Sequence, residues 1–363
     1  MGVNCFKSLT VAAFSLILIL FVNASDVYAA GGGEGEKFEP GNAILHHIAD
    51  SHSFHFFDIK KSDGSVFSAS IPLPVILYSP QNGLDIFMSS KFHHGEAEYK
   101  GYRLDHDEVI PVDPHVKVYD FSMTKNVVQM IFAVLVLIWI LTSMVKKYKN
   151  GQGVTSAPKG LQNAIEPVIT FVRDDIAKPS LGPKYHRYLP YLLTLFFFIL
   201  INNLFGLLPG AANVSGNIAF TAVLGIIAFF VILFSTNKHY WQHIFWFPGV
   251  PVPVKILMMP VELLSMFTKP FALIVRLFAN MTAGHIIILS FISLIFIFGE
   301  MSKVAGWAFS PISIVFAVFI YLIEILVAFI QAYIFTNLTA VFIGGAIGDH
   351  HYEEGVEGSD HHH

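Results

Sequence analysis

The chain has 363 residues, of which 54% are hydrophobic, only 13% are charged and 35 are Phe. That composition excludes an ordinary water-soluble globule and belongs to a polytopic membrane protein. The net charge of −4 leaves no basic field to gather phosphates, which excludes a nucleic-acid partner.

The first thirty residues combine a basic Lys7, an apolar core from Val11 to Val22, and small residues after Val27-Tyr28. This pattern predicts a secretory signal over 1–30. A retained first span is the alternative, although the apolar core is short for a bilayer. Cys5 precedes that core and is the one cysteine of the chain, so a mature protein would lack disulfides. Residues 31–122 are expected to form an exported soluble domain. It starts with the flexible acidic linker "GGGEGEKFEPGN", followed by "SVFSASIPLPVILYS" and "HVKVYDF". Short apolar runs punctuated by Pro, Gly and Asp predict a small β-rich fold. Eight of the seventeen histidines fall here, including His46-His47 and His93-His94. Without cysteines or a clear ligand spacing they define no metal site.

Three ordinary spans follow at 127–145, 188–208 and 217–235, each near the twenty residues a bilayer requires. Lys146, Lys147, Lys149, Lys159, Arg173, Lys178, Lys184 and Arg187 lie between the first two. So many basic residues in one loop place it on the cytoplasmic side, and the uncharged 210–216 segment outside. The last third differs. Ile256–Gly299 and Ala305–Ile347 are unbroken apolar stretches, each about 65 Å long as a single helix, roughly twice the hydrocarbon thickness. Either each is two short spans joined by a buried turn, or each is one steeply inclined helix. Pro270 and Gly284 offer kinks, but no cluster of turn residues interrupts the first stretch. The favoured reading is the long, tilted pair.

Ionisable residues within these stretches are few: Glu262, Lys269, Arg276 and His285 on the first, Glu324 on the second. Positions seven apart share a helix face. Glu262, Lys269 and Arg276 obey that spacing, with Asn280 one turn further. Glu324 and Gln331 obey it on the second helix. His285, nine residues from Arg276, falls on the opposite side. Snorkelling does not explain Arg276, because the apolar ends at Lys255 and Glu300 are some twenty residues away on either side and its stem reaches about one turn. Ionisable groups inside a membrane mark ion paths.

At this point "ALIVRLFANMTAGHIIIL" resembles the arginine motif of subunit a of F-type rotary ATP synthases. "EILVAFIQAYIFTNLTAVFI" is similar to the last helix of that family, and "NNLFGLLPG" and "ANVSGNIAFTAVL" to its earlier spans. The likeness covers roughly 120–348. It implies an all-α polytopic membrane protein of about five membrane helices. These would end in a long, strongly tilted hairpin (membrane domain 123–348); the small β-rich extramembrane domain and the acidic, His-rich tail at 349–363, expected on the cytoplasmic side, lie outside the likeness.

The resemblance further implies a proton-translocating subunit, not catalytic alone and without a cofactor. Its partners would be a c-subunit ring, b-type peripheral-stalk subunits and lipid, in a bacterial inner membrane. In this reading Arg276 attracts each c-ring carboxylate as it loses its proton, and its fixed charge blocks a direct leak between two half-channels. His285, Glu324, Gln331, Asn280 and Asn203 would belong to the proton path, with Glu262 and Ser265 near the cytoplasmic half-channel. Two positions depart from the common bacterial pattern. Many bacterial members have Glu where this chain has His285 and His where it has Glu324, so the two are exchanged. A reciprocal swap preserves one imidazole and one carboxyl, which supports a pair. Gly206 stands where some members carry Asp. The rival readings are a secondary transporter or antiporter with a midplane charged site, for which no internal repeat is found, and an assembly scaffold, which would leave Arg276 and Glu324 unexplained.

Overall fold

The computed structural model describes residues 41, 44, 48–60, 66–95, 97–105, 107–153, 157–158, 160–208, 210–245 and 251–347. The expected signal segment, the linker up to Pro40, His46-His47 and the C-terminal tail lie outside the described residues, as do the side chains of His93 and His94.

The N-terminal region is built of short antiparallel strands: β1 (Ser53–Lys60), β2 (Val66–Pro72), β3 (Pro74–Ser79), β4 (Gly83–Met88), β5 (Tyr102–Asp105), β6 (Glu108–Pro111) and β7 (Tyr119–Asp120). β1 pairs with β2, β5 with β6, and β3 is the centre of a three-stranded sheet ordered β4-β3-β7. The β3–β4 hairpin closes at Ser79 opposite Gly83. Gly83 has φ +81°, the left-handed conformation that a three-residue hairpin loop requires. Strand alternation sends Val75, Leu77 and Phe87 inward, where Phe92, Tyr102 and Val109 complete a small core.

The main helices that follow are α1 (Lys125–Lys149), α2 (Leu161–Phe171), α3 (Tyr185–Gly206), α4 (Ile218–Ser235), α5 (Lys238–Phe245), α6 (Val252–Met301) and α7 (Lys303–Ile347). Among the described residues, five helical runs are long and apolar enough to cross a membrane. The segment read from sequence as a basic loop, 146–187, is largely helical. α1 extends to Lys149. α2 continues through a π-turn (Val172–Ala177), a short α-helix (Lys178–Leu181) and a 3-10 turn (Gly182–Lys184) into α3. Its charges hid this, because a polar helix lacks the apolar run that marks a span. Each of the two longest apolar stretches is one continuous helix, α6 of 50 residues and α7 of 45. Pro260, Pro270 and Pro311 lie inside them without ending them. Between the two helices the single non-helical residue is Ser302. Its hydroxyl accepts from the amide of Val304, which caps α7.

The chain packs as two compact units: Met1–Ile131, Phe205–Val214 and Ala283–Ile323, and Phe132–Leu204, Ser215–Thr282 and Glu324–His363. In the first, α6 and α7 turn back on each other as an antiparallel hairpin. Phe291 stacks on Phe316, Phe298 on Phe309, and Gly306 approaches Gly299 so closely that a Cβ there would lie 2.8 Å from the Gly299 Cα. Gln129 of α1 clamps the α3–α4 connection, donating to the Ala212 carbonyl at 2.6 Å and accepting from the Ala212 amide at 2.7 Å.

In the second unit, Gly225 of α4 lets α6 pass at van der Waals contact. A Cβ at Gly225 would collide with the Ile274 side chain. The end of α7 is held by Lys184 and Asn237, which both donate to the Ile347 carbonyl (3.1 and 3.2 Å). They thereby satisfy an orphan acceptor at a helix C-terminus, and Lys184 also complements the helix dipole. Gly344 abuts the backbone carbonyl of Ser180.

Candidate functional site

The α6 segment in the second unit is divided by packing rather than by polarity. Met266, Pro270, Leu273, Leu277 and Met281 recur every three or four residues and are buried. The adjoining surface exposes Ala272, Val275, Arg276, Ala279 and Asn280. Arg276 and Asn280 therefore stand one turn apart on an outward face where the flanking residues are small. Glu262 and Ser265 are half-buried towards the start of the helix. Lys269 lies over the Phe342 ring, 5.4 Å from its centroid, so its charge is turned to α7. The seven-residue spacing of Lys269 and Arg276 drifts by about 20°; one side chain reaches a neighbouring helix and the other does not share that contact.

α7 in the same unit reverses the arrangement. Glu324, Ala328, Gln331, Ala332, Phe335, Thr336, Thr339 and Ala340 are buried at helical spacing. Glu324 is 6% exposed and Gln331 3%. Asn203 of α3, fully buried, donates to the Ala328 carbonyl at 3.2 Å, one turn beyond Glu324, and accepts from the Ser215 hydroxyl. Thr282 of α6 donates to the Gly216 carbonyl at 3.3 Å. Asn202 Oδ1, Tyr191 Oη, Glu324 Oε2 and Thr336 Oγ1 are buried with no hydrogen-bond partner among the described residues. Each such group would be penalised by about 1–3 kcal/mol if it stayed dry.

His285 belongs to the first unit. Its Nε2 is 2.8 Å from the carbonyl oxygen of Gly206. A carbonyl can only accept, so Nε2 carries the proton in this contact. At the position where an acidic side chain was in question, the chain offers a backbone oxygen to the imidazole. A Cβ at Gly206 would meet nothing nearer than 3.6 Å, so the glycine is not forced by crowding.

Of the residues singled out from sequence, Arg276 and Asn280 share the exposed face. Glu324 and Gln331 share the buried face of α7, to whose backbone Asn203 of α3 donates, and His285 is anchored to Gly206. Sequence reading missed Ser215, Thr282, Asn202, Tyr191 and Thr336. Thr336 lies about 140° round the helix from Gln331, so the seven-residue spacing of Glu324 and Gln331 did not point to it. Ser215 lies outside any regular span and had no signal.

An exposed guanidinium and a stripe of buried polar groups, carried on helices long enough to cross a bilayer, define a multi-pass α-helical membrane protein. Residues 127–344, more than half of the chain, match the family model of the ATP synthase A chain, and residues 43–130 match a domain of unknown function, DUF8433. The chain is 46% identical over 249 residues to ATP synthase subunit a of Chloroherpeton thalassium, covering 67% of this chain and 71% of that one. It is 38% identical over 333 residues to ATP synthase subunit a of Chlorobium phaeobacteroides (strain BS1), covering 90% and 82%. With ATP synthase subunit a of an Anaeromyxobacter species it shares 36% over 335 residues, covering 90% and 75%. The chain belongs to the subunit a family of F-type ATP synthases.

Proposed function

We propose that this chain is the proton-conducting membrane subunit of its ATP synthase, with Arg276 as the stationary counter-charge to carboxylates on a rotating c ring. The observation that carries this reading is the outward position of Arg276 on an α6 face lined by Ala272, Ala279 and Asn280. Small neighbours let a second helix approach closely, and a charge left unburied by its own subunit needs an opposite charge from elsewhere. The ring carboxyl is attracted as it ionises, and the fixed guanidinium keeps the two aqueous half-channels electrically apart. Each proton that crosses releases about 2.3 kcal/mol per 100 mV.

In this reading polar side chains line the half-channels. By the likeness to the family, His285 and Glu324 serve one of them, with Gln331 and Asn203 beside the path, and Glu262 and Ser265 serve the other. The buried, unpartnered oxygens of Glu324, Thr336 and Asn202 support it, because water threading the stripe would satisfy them. α6 and α7 would run about 75 and 68 Å at 1.5 Å per residue, so they must lie steeply inclined in a hydrocarbon layer of about 30 Å. That inclination presents a long side to the ring. The partners are then a c ring and a peripheral stalk, in a bacterial inner membrane with residues 31–122 outside and the C-terminus inside.

Arg276→Ala is expected to abolish proton-driven ATP synthesis in membrane vesicles while the complex still assembles with its c ring. Coupled synthesis well above background in this variant would refute the role. The orientation is tested by Ser302→Cys in a Cys5-free chain. An impermeant thiol reagent should label it from the exported side, and labelling from the cytoplasmic side alone would invert the hairpin.

A further inference from the structure

We infer that the three-stranded sheet of the N-terminal region is a lipid-docking surface, laid on the membrane that α1 enters. The pleat places three rows of side chains across β4, β3 and β7 on the face away from the core. In the first, Leu84 opposes Tyr78, which opposes Tyr119. In the second, Ile86 opposes Ile76, and the Phe121 amide donates to the Ile76 carbonyl at 2.9 Å, which carries the ladder past β7. The third ends on Met123, whose amide donates to the Pro74 carbonyl. No position in these rows is charged.

An antiparallel sheet with a core on one side normally turns polar residues to water on the other. Here Leu84 is 61% exposed, Ile86 60% and Phe121 66%, a continuous apolar face of the kind that marks an interaction site. Chain continuity identifies the occupant. Met123 lies two residues before α1, and the helix is fastened to this region where it begins. The Lys125 amide donates to the Ser51 carbonyl at 3.0 Å, and the Asn126 amide to Asp50 Oδ1 at 3.2 Å. Three residues, a span of four steps of about 3.4 Å each, separate Phe121 from Lys125, the first residue of the membrane helix. The bilayer is thus the apolar partner held permanently within reach, at an effective concentration no diffusing protein attains. Tyr78 and Tyr119, stacked with centroids 6.4 Å apart, supply the apolar body and polar tip that suit the headgroup level. The inference rests on the chain spanning a membrane and not on the proton path.

The test uses the full chain with Cys5 replaced, reconstituted in phosphatidylethanolamine–phosphatidylglycerol vesicles and spin-labelled at single cysteines. Leu84→Cys, Ile86→Cys and Phe121→Cys probe the face, and Glu98→Cys probes an exposed loop outside it. Labels on the face should collide with dissolved oxygen several-fold more than with a water-soluble nickel chelate, and the Glu98 label should show the reverse. Chelate access on the face equal to that at Glu98 would mean a solvated face and would overturn the inference. Poor access to both reagents would mean a protein cover, and would overturn it equally. Because three exposed positions are sampled, one that disturbs folding leaves the other two to decide.

Discussion

Arg276 and Glu324 are both ionisable groups in apolar helices of the same packed unit, yet they are treated oppositely. α6 turns Arg276 away from its buried seam of Leu273, Leu277 and Met281, whereas α7 folds Glu324 and Gln331 into its own. Exposure in a membrane is not solvation. A guanidinium that its own subunit leaves uncovered is available to a partner that comes and goes, while a buried carboxyl keeps fixed surroundings. Under the function proposed above, that difference would separate the group that meets the ring from the groups that line the stationary path.

The most severe way to break this comparison is to keep the charge and change its shape. Arg276→Lys retains a cation but replaces the planar, delocalised fork with a compact, strongly hydrated point charge. Coupled ATP synthesis should fall to background, as it should for Arg276→Ala. Near-normal synthesis would show that any positive charge on the face suffices.

The buried side of the comparison should yield smaller and coupled losses. His285→Leu and Glu324→Leu are each expected to slow passive proton flux through the membrane sector about tenfold, equivalent to ~1.4 kcal/mol. The double variant should be little worse than either single one, because residues that serve one path are non-additive. Multiplicative losses in flux would mean that they act on separate paths.

Much of this division was legible in the sequence, for physical reasons particular to each residue. Arg276 stood out because a permanent charge far from either apolar end has no cheap explanation. That Glu324 and Gln331 share one face of α7 followed from their spacing. The outward turn of Arg276 did not follow, because helical periodicity groups residues by face without naming the buried face. α6 is apolar on both sides, and its seam is chosen by Gly225 and Ile274, a tertiary contact. The helical nature of 161–187 was hidden by its charges. The Gly206–His285 hydrogen bond was hidden because a backbone carbonyl leaves no mark in a sequence.

That seam gives the next test. In Gly225→Leu the new side chain meets Ile274, two residues from Arg276. Overpacking of this kind costs about 1–3 kcal/mol. The variant should lose thermal stability and coupling together, and Gly225→Ala should lose less of both. Full coupling in the leucine variant would show that the Arg276 face tolerates displacement of its helix.

A control for both sites lies outside the membrane, where a buried ionisable group has a complete set of partners. His52 is buried, with Nδ1 2.9 Å from the Asp107 carbonyl and Nε2 3.1 Å from Asp120 Oδ2. Burial alone would lower its pKa, but the Asp120 carboxylate and the Asp107 carbonyl outweigh this and hold it above the ordinary imidazole value. Burial works against the charge on Asp120 too, and the bonds from His52 and Ser122 more than offset it, so that Asp120 lies below the ordinary carboxylate value. The signs define a window. The His52 contribution is complete below the ordinary imidazole pKa of about 6.5, and is lost as pH rises through its raised value. The Asp120 contribution is complete above about 3.9, and is lost as pH falls through its depressed one. Hydrogen-exchange protection of β7 and the start of α1, corrected for intrinsic rates, should therefore be greatest near about pH 5.5 and weaken towards about pH 8. Asp120→Asn should flatten that dependence, with a loss of about 1–3 kcal/mol in local stability at the optimum. Protection that does not change with pH in the unaltered chain would show that the pair contributes no charge-dependent stability. The contrast with Glu324, buried without such a partner, would then lose its reference.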